Sequence, residues 1–502
     1  MFWLFLVLCL VASTESFLLV PQTRATVRSY RRTRGHAPPV VRDQSTIIST
    51  STTTEKQQPF PNINPELLAI LTVYFVQGAL GLSRLAVTFF YKDELHLSPT
   101  EMAAFGGITT LPWIIKPLYG FLSDGVPIFG YKRRSYLVLA GLIGCLSWLA
   151  LGSFIHDVPS AITAVVIGSA SVAISDVVVD SIVVERSRDS PNSSETAGNL
   201  QSMCWATAAI GGILSAYFSG SLLEIVSPRV IFTLTAFFPL LISAASFFIV
   251  EKPSKPPIRF TDSVDNLTLP AEESFWSTTG AQLDTLRSTF VNPRIYLPVL
   301  FIFFWQASPT PDSAMFYFAT NELGFQPEFL GRVRLASSLA ALVGVTVYRT
   351  WLKNVPVKTV ILWASLLSVP LSLSQLLLVT HANRALGIPD QLFSLTDSVV
   401  LTVLGQVAFM PTLVLASRLC PPGVEGTLFD TLMSIYNAAG TVSSELGAGL
   451  TSILGITDTK FDQLPLLLLI CSLSSLLPLP FIGALDENIN TNETTETTLP
   501  AE

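Results

Sequence analysis

The chain has 502 residues, 50% of them hydrophobic and only 13% charged, with mean hydropathy +0.54 and a formal net charge of -7. A soluble protein of this length carries about a quarter charged residues, so a water-soluble globular enzyme is excluded. The acidic balance offers nucleic acid nothing to bind. Cys9, Cys145, Cys204, Cys420 and Cys471 are scattered without the spacing of a zinc site or a disulfide framework, so no metal and no cofactor is expected.

Residues 1–16 begin with an apolar run too short to span a bilayer and end in small residues, a signal-peptide pattern. Residues 17–61 continue with Arg24, Arg28, Arg31, Arg32, Arg34 and Arg42, with no acid between Phe17 and Arg42. That is transit-peptide composition, and the Ser/Thr-rich remainder reads as disordered. Joined, the two resemble the bipartite plastid signals of algae whose plastids have extra membranes. The leader thus predicts the inner membrane of a plastid (chloroplast) envelope; a plain secretory signal followed by a basic arm is the competing reading.

From Leu67 to Leu485 apolar runs of roughly 18–25 residues recur, the length that crosses hydrocarbon as helix. Period-two barrel patterning is missing, so the predicted class is an all-α polytopic membrane protein. Spans are predicted at 67–91, 101–122, 135–155, 159–184, 198–222, 229–250, 295–319, 328–349, 357–380, 391–417, 426–453 and 463–485. The loops after even-numbered spans carry basic clusters such as Lys132, Arg133 and Arg134, whereas the others carry only Lys92, Arg229, Arg384 and Lys460. The N-terminus is therefore inside. The polar segment 251–294 divides the chain into six-helix bundles at 62–250 and 295–485, with itself as an inner-face loop and 486–502 as a disordered acidic tail. The halves look related. "ELHLSP" (Glu94–Pro99) matches "ELGFQP" (Glu322–Pro327), and "LYGFLSDGVPI" (Leu118–Ile128) matches "VYRTWLKNVPV" (Val347–Val357), at offsets of 228 and 229 residues. A 6+6 parallel repeat is a major-facilitator arrangement of twelve helices, with its substrate site between the halves near midplane.

Charges inside such spans are costly and therefore informative. In "SDVVVDSIVVER", Asp176 and Asp180 are one turn apart and share a face. Asp176 lies nine residues before Glu185, about 13 Å from the inner boundary and so near the centre of a ~30 Å core. Arg84, Lys116, Arg332 and Arg334 supply the opposite sign, Asp312 sits among helix-breaking prolines, and Gln77 and Asn437 add amides. These residues are the candidates for substrate binding or proton coupling. Arg332 and Arg334, two residues apart, face different sides, so one at most points straight into a cavity. Asp430, in the first turns of its span, reads equally as a cap and as a ligand. In "GFLSDGVPIFGYKRR", Asp124 and Arg134 are the gating candidates, with Lys132 and Arg133 read as positive-inside anchors. Alternating acids and bases along a cavity suit a zwitterionic or anionic heteroaromatic substrate.

Three stretches carry a resemblance: "KPLYGFLSDGVPIFGYKRRSYL" (Lys116–Leu137), "SDVVVDSIVVERSR" (Ser175–Arg188) and "FFWQASPTPDSAMFYFATNELGFQPEFLGRVRL" (Phe303–Leu335). They closely resemble the folate–biopterin transporter family, of major-facilitator fold. The resemblance implies carriage of folates or related pterins, and a transport role at Lys116, Asp124, Asp176, Asp180, Arg332 and Arg334, which fall inside the motifs. The implied partners are a small-molecule substrate, the lipid membrane and a co-transported proton. The alternative is another amphipathic anion, such as an amino acid or organic acid. An intramembrane aspartyl hydrolase needs its acids on facing helices, whereas Asp176 and Asp180 share one. No phosphate-cradling glycine loop supports ATP-driven pumping.

Overall fold

The computed structural model describes residues 64–188, 193–251, 292–419 and 425–485. The expected leader and acidic tail, and nearly all of segment 251–294, lie outside the described residues. The described chain is helical, with one isolated bridge between Ile128 and Tyr131.

The first predicted span forms as α1 (Pro65–Ala79), α2 (Leu82–Phe89) and a π-helical turn (Phe90–Glu94). Asn64 caps it, its Oδ1 accepting from the Leu67 N–H at 2.7 Å, with Pro65 just inside. The second forms as α3 (Pro99–Ile114) and α4 (Lys116–Gly125). A reciprocal capping box between Ser98 and Glu101 starts α3. Then come α5 (Arg134–Ser153), α6 (Val158–Arg188), α7 (Ser193–Ile225), α8 (Pro228–Thr235) and α9 (Phe237–Ala245). Asp157 precedes α6 and accepts from the Ser160 hydroxyl and N–H, which hold its carboxyl below the ordinary carboxylate range. The second half has α10 (Pro293–Gln306), α11 (Asp312–Tyr317), a second π-helical turn (Phe318–Glu322) and α12 (Pro327–Val347). It ends with α13 (Val357–Val379), α14 (Ala382–Ala385), α15 (Asp390–Leu419), α16 (Glu425–Ile453) and α17 (Leu464–Ser474).

Nine helical stretches among the described residues are long and apolar enough to cross a membrane. Helix also forms at the other three predicted spans, but two of these are interrupted: the seventh among the prolines that predicted it, the second where an unbroken helix was expected. At Ile115 the backbone leaves the helix (φ -94, ψ 16), because Pro112 and Pro117 both lack the N–H that would continue the ladder. Between Gln306 and Asp312, Pro309 and Pro311 do the same. Each break places a charged side chain, Lys116 or Asp312, at the start of the resumed helix.

The "ELHLSP"/"ELGFQP" match has a backbone counterpart. After each π-helical turn the chain reverses through one left-handed residue, His96 (φ 53) or Gly324 (φ 66). Leu97 N–H donates to Tyr91 O at 3.0 Å, and Phe325 N–H to Ala319 O at 2.9 Å. Both reversals sit 228 residues apart, and each feeds a Pro-started helix.

Helices pack mostly within their own half: α1 on α7, α5 on α6 and α9, then α12 and α13 on α15. Between the halves, α3 packs on α16 and α7 on α12, with smaller contacts of α16 on α4 and of α11 on α3. In membranes, small residues let such helices approach. A Cβ built on Gly331 would lie 2.5 Å from the Gly220 Cα, and one on Gly107 would lie 2.5 Å from Glu445 Oε1. Nearby, Ser444 Oγ donates to Ala103 O at 2.8 Å, the Tyr317 hydroxyl donates to Leu97 O, and the Phe89 and Phe316 rings meet edge-on at 5.4 Å. All these contacts sit toward the ends away from the basic loops, so the halves meet in an outer seam.

Candidate functional site

The site grows from the two helix breaks and the acid pair. Lys116, the first residue of α4, is buried and forms an ion pair with buried Asp176 of α6. Its ammonium also rests 4.8 Å from the Trp113 ring centroid, and Trp113 Nε1 donates to Ser169 Oγ at 3.1 Å. One turn along α6, partly exposed Asp180 accepts from the Tyr74 hydroxyl of α1. Buried Cys204 of α7 stands beside Tyr74 and Asp180. Asp430 of α16 faces the same ion pair from the other half, within electrostatic range of Lys116 and Asp176. One base and three acids thus gather at mid-depth from α4, α6 and α16.

Of the other candidates, Arg84, Asp312 and Arg334 stand nearer the outer seam. Arg84 of α2 and Asp312 of α11 are surrounded by protein, yet their side chains meet open space, as expected inside a cavity. Arg334 of α12 is partly exposed and close enough to Arg84 for their charges to repel. Arg332 points elsewhere: its guanidinium pairs with Glu328 one turn back and is 68% exposed, which removes it from the cavity. The amide nitrogen of Gln77 is buried without a partner, and Asn437 is partly exposed.

At the inner end, the basic run is sorted differently from the sequence expectation. Arg133, read as an anchor, is the residue that pairs with Asp124, at 2.5 Å, and it also donates to Ser123 Oγ at 3.0 Å. Arg134, the gating candidate, stacks over Tyr131 and Phe247, 5.7 and 4.7 Å from their centroids. Left-handed Phe129 (φ 52) and Gly130 (φ 82) turn the loop so that this register results. The backbone N–H groups of Lys132, Arg133 and Arg134 all donate to the Glu251 carboxylate, at 2.6 to 3.2 Å. Glu251 therefore caps α5 from beyond α9. Beside it, Arg186 bridges Glu66 and the Val250 carbonyl, each at 2.7 Å.

Asp124→Asn is expected to slow transport about two- to fivefold while leaving substrate affinity within about twofold, because a half-exposed pair is worth at most ~1 kcal/mol. Lost binding with unaltered exchange rates between the two sides would count against a gating role.

Sequence reasoning passed over Tyr74, Cys204 and Glu251, and left Asp430 open. Tyr74 precedes candidate Gln77 by three residues on α1, so a shared helix face was the available signal. Nothing local singles out Cys204 or Glu251, whose contacts are made across the fold.

Residues 77–502 match the BT1 family. The chain is similar to a folate-biopterin transporter of Synechocystis sp., with 52% identity over 420 residues, covering 84% of this chain and 81% of that one. It is 33% identical to a probable folate-biopterin transporter 2 of Arabidopsis thaliana, covering 83% and 82% of the two chains. Among solved structures, the nucleoside transporter NupG superposes with a TM-score of 0.62 at 13% identity, over 84% of this chain and 99% of that one.

Proposed function

The chain belongs to the BT1 family, and from that premise we propose that it carries folates and related pterins across a membrane by alternating access between two six-helix halves. The observation that carries the substrate is the 52% identity over 420 residues with a relative named as a folate-biopterin transporter. The geometry suits such cargo. Acids at mid-depth can accept from the amino-pyrimidine edge of a pterin, while guanidinium groups nearer the outer seam can hold carboxylates. Asp176, Asp180 and Asp430 also offer carboxyl groups to a co-transported proton. The chain works as a carrier and not as an enzyme, in keeping with the transporters it resembles.

Labelled folate, biopterin and an amino acid offered to a folate-requiring host expressing the protein test this directly. Saturable uptake of folate or biopterin is expected; uptake of the amino acid alone would transfer the reading to the alternative cargo.

The composition of residues 1–61 supports residence in a plastid envelope membrane. A fluorescent reporter fused behind these residues is expected to enter plastids in an alga with multi-membrane plastids, with Phe17–Pro61 missing from the mature protein. A reporter that stays at the cell surface would overturn the address and leave the transport reading intact.

A further inference from the structure

Several bases in the described chain have acid partners. Lys116 has Asp176, Arg133 has Asp124, Arg186 has Glu66, Arg229 has Glu94, Arg332 has Glu328 and Arg384 has Asp390. Arg84 and Arg334 are different. Among the described residues neither forms an ion pair with any Asp or Glu, although both stand deep in the protein and touch open space. Asp312, the other cavity acid in this region, pairs with neither. Their near neighbour in charge is each other. This part of the cavity therefore presents unmatched donors, and an arginine cannot relieve its charge by losing a proton.

The placement adds a second point. Arg84 belongs to the first half and lies five residues before Phe89, which meets Phe316 of the second half. Arg334 belongs to the second half and lies three residues past Gly331, which meets Gly220 of the first. Both stand about one turn inside the outer seam, on opposite sides of it. Sealing the seam drives two like charges together across the cavity.

We propose that Arg84 and Arg334 form a carboxylate clamp across the two halves, which selects the anionic members of the substrate class and couples their binding to closure of the outer seam. This deepens the folate and pterin reading and rests on it. A carboxylate between the guanidinium groups takes N–H donors from both and cancels the repulsion that opposes closure. An uncharged pterin gains nothing there and depends on the mid-depth cluster alone. The clamp therefore governs which cargo is carried, whereas Lys116, Asp176 and Asp430 serve both kinds.

Two substrates separate these roles. Folate bears carboxylates on its glutamyl tail and biopterin bears none. In Arg84→Gln and Arg334→Gln full-length proteins, folate uptake is expected to fall at least tenfold, mainly through KM, while biopterin uptake is kept or rises, because the lost charge no longer opposes closure. Biopterin uptake also shows that each variant is folded. Arg334→Lys keeps the charge and loses the bidentate geometry, so it is expected to fall between wild type and Arg334→Gln for folate. Parallel loss of both substrates, or unchanged folate uptake, would overturn the clamp. A binding measurement distinguishes this failure from failure of the folate reading. p-Aminobenzoylglutamate, the tail without the pterin, is expected to raise the melting temperature of the purified wild type and not of Arg334→Gln. Equal stabilisation of both overturns the clamp even if folate is carried. Stabilisation confined to the wild type supports it even if neither folate nor biopterin is carried.

Discussion

Replacing Asp176 by Asn is expected to cut uptake more than tenfold while the protein accumulates normally. The change keeps volume and removes the charge that holds Lys116 in the centre of the membrane. A charge-assisted hydrogen bond is worth about 1.5–3 kcal/mol, and ~1.4 kcal/mol already gives tenfold. Leaving a buried base unpaired costs more, about 3–5 kcal/mol. The ion pair makes the double change Asp176→Asn with Lys116→Gln decisive. If Asp176 serves only to neutralise Lys116, removing both charges restores uptake. If either group handles cargo or a proton, the double variant stays inactive. Asp180→Asn is expected to have the milder effect, because Asp180 has a neutral partner in Tyr74 and is better solvated. Near-normal uptake by Asp176→Asn alone would remove the α6 acids from the mechanism.

Gly331→Val is expected to lower uptake tenfold or more by a different route. A Cβ at this position would lie 2.5 Å from the Gly220 Cα and 2.6 Å from its nitrogen, both backbone atoms that cannot swing aside. Overpacking of this kind costs about 1–3 kcal/mol, and here the cost falls only on the state in which α7 and α12 touch. A bias of that size shifts the ratio of inward- to outward-open carriers by roughly five- to 150-fold. Cysteine probes in the cavity should then react faster from outside, with substrate still bound from that side. Slower labelling from both sides would indicate misfolding instead.

The helical class, the span positions and the repeat could be read from composition and spacing, because hydrocarbon permits so few backbone solutions. The packing that brings Lys116 against Asp176 was less legible, although the two stood out as charges of opposite sign. It depends on the break at Ile115, where two prolines, Pro112 and Pro117, redirect the chain inside a span read as continuous. Asp430 was ambiguous because a carboxylate in the first turns of a helix has a local use as a cap, and only the packing of α16 against the first half gives it another. The partners within the basic run 132–134 were illegible for a related reason: adjacent residues in a turn differ in direction by amounts that loop geometry alone decides. Arg332 and Arg334 lie on a regular helix, where that uncertainty vanishes, and they point apart.

The Glu251 clasp has a consequence for measuring the working cycle. Three consecutive amides, on Lys132, Arg133 and Arg134, share one carboxylate at the water-facing inner rim. Amides at such a position would normally exchange with solvent deuterium quickly, and these exchange only when the clasp opens. With Arg186 holding Glu66 and the Val250 carbonyl alongside, the rim joins α1, α5, α6 and the end of the first half. A half that rocks as one body keeps the three amides protected through every turnover, so their deuterium uptake is the same with and without substrate. A half that bends releases them once per cycle, and their exchange rate then counts transport events.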